Sequence, residues 1–155
     1  MDLSNNQLIL ICAAPNSGKT SLIRYLTIKN LLDQVFNYIY VITNTPKDHD
    51  FLDKPYVITP QIKKYNFKIL NGIIKLQKKS DKRLLIIFDD VIGNLDFKSM
   101  EINVLVSQYR HLGSKGTTVI MSTQDIVLLP RPIRSMCSLA ILFRQNGYSA
   151  YLEAF

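Results

Sequence analysis

The sequence is poor in the features that mark secreted, metal-stabilised or membrane-spanning proteins. Only two cysteines, Cys12 and Cys137, occur in 155 residues, with no partner spacing for a disulfide framework or a metal site. Both fall in apolar, strand-like runs and are expected as reduced core residues of a cytosolic protein. No apolar stretch approaches the roughly 18 to 20 residues that a membrane span requires. Asp2, with no basic residues ahead of the first apolar run, argues against a secretory leader. Internal repeats and low-complexity tracts are missing too. With 47% hydrophobic and 20% charged residues, the composition excludes disorder and fibrous architectures. The length suits one domain, spanning residues 1–155.

Acidic residues are scarce in one place above all. Between Gln61 and Arg83, Asp81 stands alone against Lys63, Lys64, Lys68, Lys75, Lys78, Lys79, Lys82 and Arg83, which is the whole net charge of +7. In the same segment Ile62, Tyr65, Ile69, Ile73 and Leu76 recur at spacings of three and four. The spacing predicts a helix with those residues on its core face, and with Lys64, Lys68, Lys75 and Lys79 on another. Thr59 and Pro60 fit an N-cap and a first helical position. The lysine face is either solvated or a contact for a phosphate backbone.

Elsewhere strands alternate with helices. Gln7 to Cys12, Tyr38 to Thr43, Leu84 to Phe88 and Thr117 to Ser122 are short, continuous apolar runs of the kind buried on both faces of a parallel sheet. Lys19 to Ile28 reads as a helix. A second runs from about Phe97 to a C-cap at Gly113. After Pro130 and Pro132, Leu139 to Arg144, Gln145-Asn146-Gly147 and Tyr148 to Leu152 form a hairpin pattern. An α/β fold with a mainly parallel sheet and a C-terminal antiparallel edge is expected. Residues 44–56 form the long polar loop, with His49 an ordinary loop residue.

Ala13-Ala14-Pro15-Asn16-Ser17-Gly18-Lys19-Thr20 joins the first strand to the first helix, the setting of a phosphate-binding loop. Backbone N–H groups of the loop and the helix N-terminus, from Ala14 to Ser21 with the exception of Pro15, would surround the phosphates of ATP, and Gly18 leaves room for that approach. Lys19 would reach the β- and γ-phosphates, and Thr20 would ligate Mg²⁺. Ala13, where glycine is usual, is acceptable at negative φ. Asp89 and Asp90 end the third apolar strand, where ligands sit in open α/β sheets. Asp89 is expected to hold Mg²⁺ through water, and Asp90 to orient or deprotonate the attacking water. Asp90-Val91-Ile92-Gly93 matches the D-x-x-G of GTPases, but no N-K-x-D segment follows to read guanine. Gln124, at the end of the next strand, could hydrogen-bond the γ-phosphate and that water. Arg110, beside His111 and off the apolar stripe of its helix, faces solvent or a neighbour, and Arg134 has the same status.

These residues together resemble the genome-packaging ATPases of large DNA viruses, the poxvirus-type branch of the FtsK/HerA superfamily. The resemblance rests on A-A-P-N-S-G-K-T-S at 13–21, L-L-I-I-F-D-D at 84–90, Y-R-H-L-G at 109–113, S-T-Q at 122–124 and L-P-R-P-I-R at 129–134, in family order across nearly the whole chain. It implies a P-loop ATPase fold and a ring-forming motor that drives double-stranded DNA into a capsid, at an assembly site in the host cytoplasm or in the virion. A capsid or portal vertex protein would be its partner. By the same resemblance Gln124 is similar to the family's polar sensor and Arg110 to an arginine finger offered to the next subunit, with Arg134 the second candidate. Family members continue beyond such a hairpin, so a C-terminally shortened version is expected. Two other classes fit parts of the pattern: a nucleoside or nucleotide kinase, which needs an acceptor and a lid, and a weakly catalytic DNA-binding assembly subunit.

Overall fold

The four apolar runs, together with Leu139–Leu142, are the strands of one sheet. The structure, a computed structural model, describes Leu3, residues 5–52 and residues 67–143. In chain order the strands are β1 (Leu8–Cys12), β2 (Tyr38–Thr43), β3 (Leu84–Asp89), β4 (Thr117–Thr123) and β5 (Leu139–Leu142). The order across the sheet is β2-β3-β4-β1-β5, and every pairing is parallel. β5 is thus the first limb of the expected hairpin, running parallel to β1. The second limb, Tyr148 to Leu152, lies outside the described residues.

Side chains along each strand alternate between two cores. Leu8, Leu10, Leu84, Ile86, Phe88, Val119 and Met121 face one, while Ile9, Ile11, Ile39, Val41, Leu85, Ile87 and Ile120 face the other. Right-handed crossovers require the connection from β1 to β2 to cover one face and the three returning connections to cover the opposite face. Accordingly α1 (Lys19–Leu32) packs Ile23 and Leu26 into the second core. The helices α2 (Phe67–Lys78), α3 (Met100–Gln108) and α4 (Arg131–Met136) pack on the first. Ser99 caps α3, its hydroxyl accepting from the N–H of Ile102. After α3 the chain tightens into a 3-10 turn, Tyr109–His111, and reverses at Gly113 with φ +81°. A Cβ there would lie 2.6 Å from the carbonyl oxygen of Gln77, so only glycine fits.

Helix α2 corrects the expected core stripe. Ile69 is 42% exposed and Leu76 70% exposed; the buried face is Leu70, Ile73, Ile74 and Gln77. Ile73 belongs to both stripes, so apolar spacing alone admits either rotation. Gln77 decides it: its buried Nε2 donates to the carbonyls of Lys82, Leu112 and Gly116 at 2.9, 3.3 and 3.3 Å. An amide so well satisfied is cheap to bury and would be costly to unpair. Lys68, Lys75 and Lys79 are exposed. Ile62, Lys64 and Tyr65, with the proposed cap at Thr59 and Pro60, lie outside the described residues.

Candidate active site

All five strands end on the same edge of the sheet, and β4 lies between β1 and β3. That order brings the loop after β1, the acidic pair after β3 and Gln124 after β4 side by side. The loop after β1 starts with the N–H of Ala13 donating to the carbonyl of Thr123 at 3.1 Å. Positive φ angles occur at Asn16 and Gly18, +59° and +93°, but not at Ala13, so the missing first glycine causes no backbone strain. Ser17 ties the loop together, its hydroxyl donating to the Ala14 carbonyl at 2.6 Å. The loop then feeds α1, whose N-terminal N–H groups point into a cleft of about 410 Å³. Ala14, Pro15, Asn16, Gly18, Lys19, Thr20 and Ser21 line it, together with Asp90 and Gln124.

Within the cleft Lys19, only 7% exposed, forms an ion pair through Nζ with Oδ1 of Asp90. Gln124 donates from Nε2 to the other oxygen, Oδ2, at 3.2 Å. Asp90 takes φ +54°, a left-handed conformation that turns the chain sharply at the end of β3. Lys19, Asp90 and Gln124 are therefore joined; the amide of Gln124 lies beside the acidic pair as neighbouring strands led one to expect, whereas the Lys19–Asp90 pair was not anticipated.

Asp89 is placed differently from its neighbour. It is buried, opposite Ser122 in the β3–β4 register. Ser122 donates its hydroxyl to Oδ1 of Asp89 and accepts from the N–H of Asp90 at 3.3 Å. Oδ2 meets Nε2 of His49 at 3.0 Å. Burial pushes the Asp89 carboxyl upward, but hydrogen bonds from His49 and Ser122, with the charges of His49 and Lys19, outweigh it and hold the group below the ordinary carboxylate value.

His49 corrects the reading of residues 44–56 as an open loop. Pro46–Leu52 is a 3-10 segment, and His49 is fully buried within it. Phe51 and Leu52 anchor the segment in the α1-side core, and the Arg24 guanidinium of α1 lies 5.2 Å from the centroid of the Phe51 ring. Nothing periodic in the sequence marks this histidine. Ser122 left a clearer trace, being the last residue of an apolar strand and adjacent to the singled-out Gln124 region.

Arg110 and Arg134 stand apart from the cleft. The Arg110 carbonyl accepts from Asn6, ahead of β1, at 3.4 Å, so it lies at the opposite end of the strands from the phosphate loop. Seven strand residues make that separation about 20 Å. Its guanidinium folds back over the Tyr109 ring, 5.3 Å from the centroid, with Nε donating to the Tyr109 hydroxyl. Arg134 is half-buried on α4 and does not line the cleft. Cys137 follows α4 instead of lying inside a strand, and burial pushes its thiol up to about 11.

The oxygen donors present suit a magnesium–triphosphate complex: a hydroxyl at Thr20 and a carboxylate at Asp89, with the phosphates supplying further oxygens. Among the described residues no cluster of three or more His, Cys, Asp or Glu could hold a metal ion unaided. No helix among those residues is long and apolar enough to cross a membrane.

No protein-family model and no curated protein sequence matches the chain. Solved structures do. The genome-packaging NTPase B204 of Sulfolobus turreted icosahedral virus 2, in complex with AMP, is similar with a TM-score of 0.69 at 20% identity, over 97% of this chain and 80% of that one. The DNA-packaging ATPase B204 of Sulfolobus turreted icosahedral virus gives 0.74 at 19% identity, over 97% and 81%. The pCW3 conjugation coupling protein TcpA, with ATPγS, gives 0.70 at 14% identity, over 97% and 52%. At such identities the likeness is one of fold. The chain shares with these structures an α/β fold, here a five-stranded parallel sheet flanked by helices.

Proposed function

We propose that the chain is an ATP-hydrolysing subunit of a motor that moves double-stranded DNA into a viral capsid. The observation that carries this reading is the joining of Lys19, Asp90 and Gln124 in one cleft around the phosphate loop. The packaging ATPases of the same fold supply the DNA and capsid half of the proposal.

ATP would enter with its phosphates over the N–H groups of residues 14–21 other than Pro15, and Lys19 would leave Asp90 for the β- and γ-phosphates. Asp90, freed of its counter-ion and still held by Gln124, would accept a hydrogen bond from the attacking water. The Gln124 amide would fix that water in line. A Mg²⁺ ion held by Thr20 and, through water, by Asp89 would neutralise developing phosphate charge. Arg110 is too distant to serve its own cleft, so a finger role requires a homo-oligomeric ring in which it reaches the next subunit. Lys64, Lys68, Lys75 and Lys79 are the proposed contacts to the DNA backbone, and a capsid or portal vertex protein the proposed partner.

Steady-state hydrolysis measured against protein concentration, with and without duplex DNA, tests the motor. Turnover per subunit should rise with concentration and again with DNA. Flat turnover, indifferent to duplex at low salt, would sink it. Transfer of labelled phosphate to a nucleoside would then support a kinase.

A further inference from the structure

The mechanism above leaves one buried titratable side chain without a task. His49 comes from the 3-10 segment after β2, forty residues from Asp89 in sequence, and is fully buried against it. Asp89 as a carboxylate can only accept, so His49 donates to it from Nε2–H. The Nδ1 of His49 has no hydrogen-bond partner among the described residues. The hydrogen bond to Asp89 is therefore the polar contact that orients the ring, and the ring contact to Phe51, 5.8 Å between centroids and tilted by 43°, supports it from behind.

We propose that His49 is a positioning residue of the nucleotide site: by clamping Oδ2 while Ser122 clamps Oδ1, it fixes the Asp89 carboxylate for the Mg²⁺ end of Mg–ATP. The inference rests on the ATPase reading. Two donors from different elements, one per oxygen, remove the rotation of the carboxylate about its last bond and leave the remaining lone pairs for the metal's water. Partners that orient a metal-binding carboxylate in this way are worth about 10- to 100-fold in metal affinity or activity. His49 does not line the phosphate-loop cleft, so nucleotide grip without metal should be independent of it. Because His49 sits on Pro46–Leu52, the metal end of the site is complete only with that segment docked against α1.

The test is binding of a fluorescent ATP analogue to the full chain in EDTA and across a Mg²⁺ titration, with kcat followed over the same titration. His49→Leu should raise the Mg²⁺ concentration for half-effect by about 10- to 100-fold and leave affinity in EDTA within about twofold of wild type. A second pair guards against a variant that fails to fold. His49→Gln carries an amide nitrogen at the reach of Nε2, whereas His49→Asn stops short of it; Gln should restore wild-type Mg²⁺ dependence and Asn should not. A folded His49→Leu with unaltered Mg²⁺ dependence, or Gln and Asn variants that behave alike, would overturn the role of His49 alone. A wild-type chain that binds the analogue no better with Mg²⁺ than in EDTA would overturn the ATPase reading beneath it.

Discussion

Changing Asp90 to Asn should tighten ATP binding while nearly stopping turnover. The Asp90 carboxylate holds Lys19, the cation that a triphosphate needs. ATP must draw Lys19 away and bring its own charge toward a carboxylate that stays behind. Two unit charges roughly 5 Å apart interact by about 3 kcal/mol at an effective dielectric constant near 20. The Asp90 side chain is 37% exposed, and solvent screening at such a site reduces the effect to about 1 kcal/mol. Asn keeps the size of the side chain and an oxygen for Gln124 but discards the charge, so the analogue should bind about fivefold tighter. Hydrolysis should fall by about 10²- to 10⁴-fold, because the group that orients and deprotonates water is neutral. Titration with a fluorescent ATP analogue and single-turnover hydrolysis read the two quantities separately. Weaker or unchanged binding would refute the competition for Lys19, and undiminished hydrolysis would remove Asp90 from the chemistry.

Ser122→Ala leaves Oδ1 of buried Asp89 without its donor, and should lower stability by about 1–3 kcal/mol in denaturant unfolding; an unchanged midpoint would mean that water replaces the hydroxyl. Asp89 titrates below its ordinary value in the folded chain. Its stabilisation is therefore present above the unfolded value near pH 4 and lost as pH falls through the lower folded value. Thermal midpoints in metal-free buffer should drop below about pH 4, less so in Asp89→Asn; an equal drop in both proteins would assign the acid sensitivity elsewhere. With the Cys137 thiol pushed up to about 11 and Cys12 buried, a thiol reagent at pH 8 should label the folded chain about a hundredfold more slowly than the unfolded one, and rapid labelling of the folded chain would contradict the burial. Arg110→Ala and Lys19→Ala should each be inactive alone and regain activity when mixed, since each carries the half of a shared site that the other lacks; mixtures that stay inactive would exclude a finger in trans.

The inner strands of the sheet were legible because they are buried on both faces and so read as unbroken apolar runs, Leu84–Asp89 being the clearest. The phosphate loop and Asp90 were legible because their chemistry is carried by a contiguous run at a strand end. Two features were not. The rotation of α2 depends on Gln77, a polar residue whose burial is allowed only by three carbonyls supplied from Lys82, Leu112 and Gly116; apolar spacing carries no information about them. His49 escaped for a related reason. Its partner Asp89 is distant in sequence, and the segment that carries it is held by Phe51 and Leu52 rather than by any periodic pattern. A histidine between Asp48 and Asp50 resembles solvated loop until the fold supplies the carboxylate that makes its burial tolerable.

On the proposed function the two ends of the sheet would carry different halves of one chemistry. At the C-terminal ends of the strands, Lys19 is the only cation among the described residues lining the cleft, and Asp90 already neutralises it. A transition state that spreads charge over the γ-phosphate oxygens would meet little else among the described residues lining the cleft. At the N-terminal ends, Arg110 is exposed, stacked on Tyr109 and rigidly carried by the 3-10 turn that closes α3. The backbone around it is pinned from two sides, by Asn6 ahead of β1 and by the tight approach of Gly116 ahead of β4. Such a guanidinium is held at the surface and about a sheet's length from its own nucleotide. On the proposed reading it would complete a cleft only on another copy, so a lone subunit should turn over slowly, by about 10³- to 10⁵-fold if the arginine is the missing part.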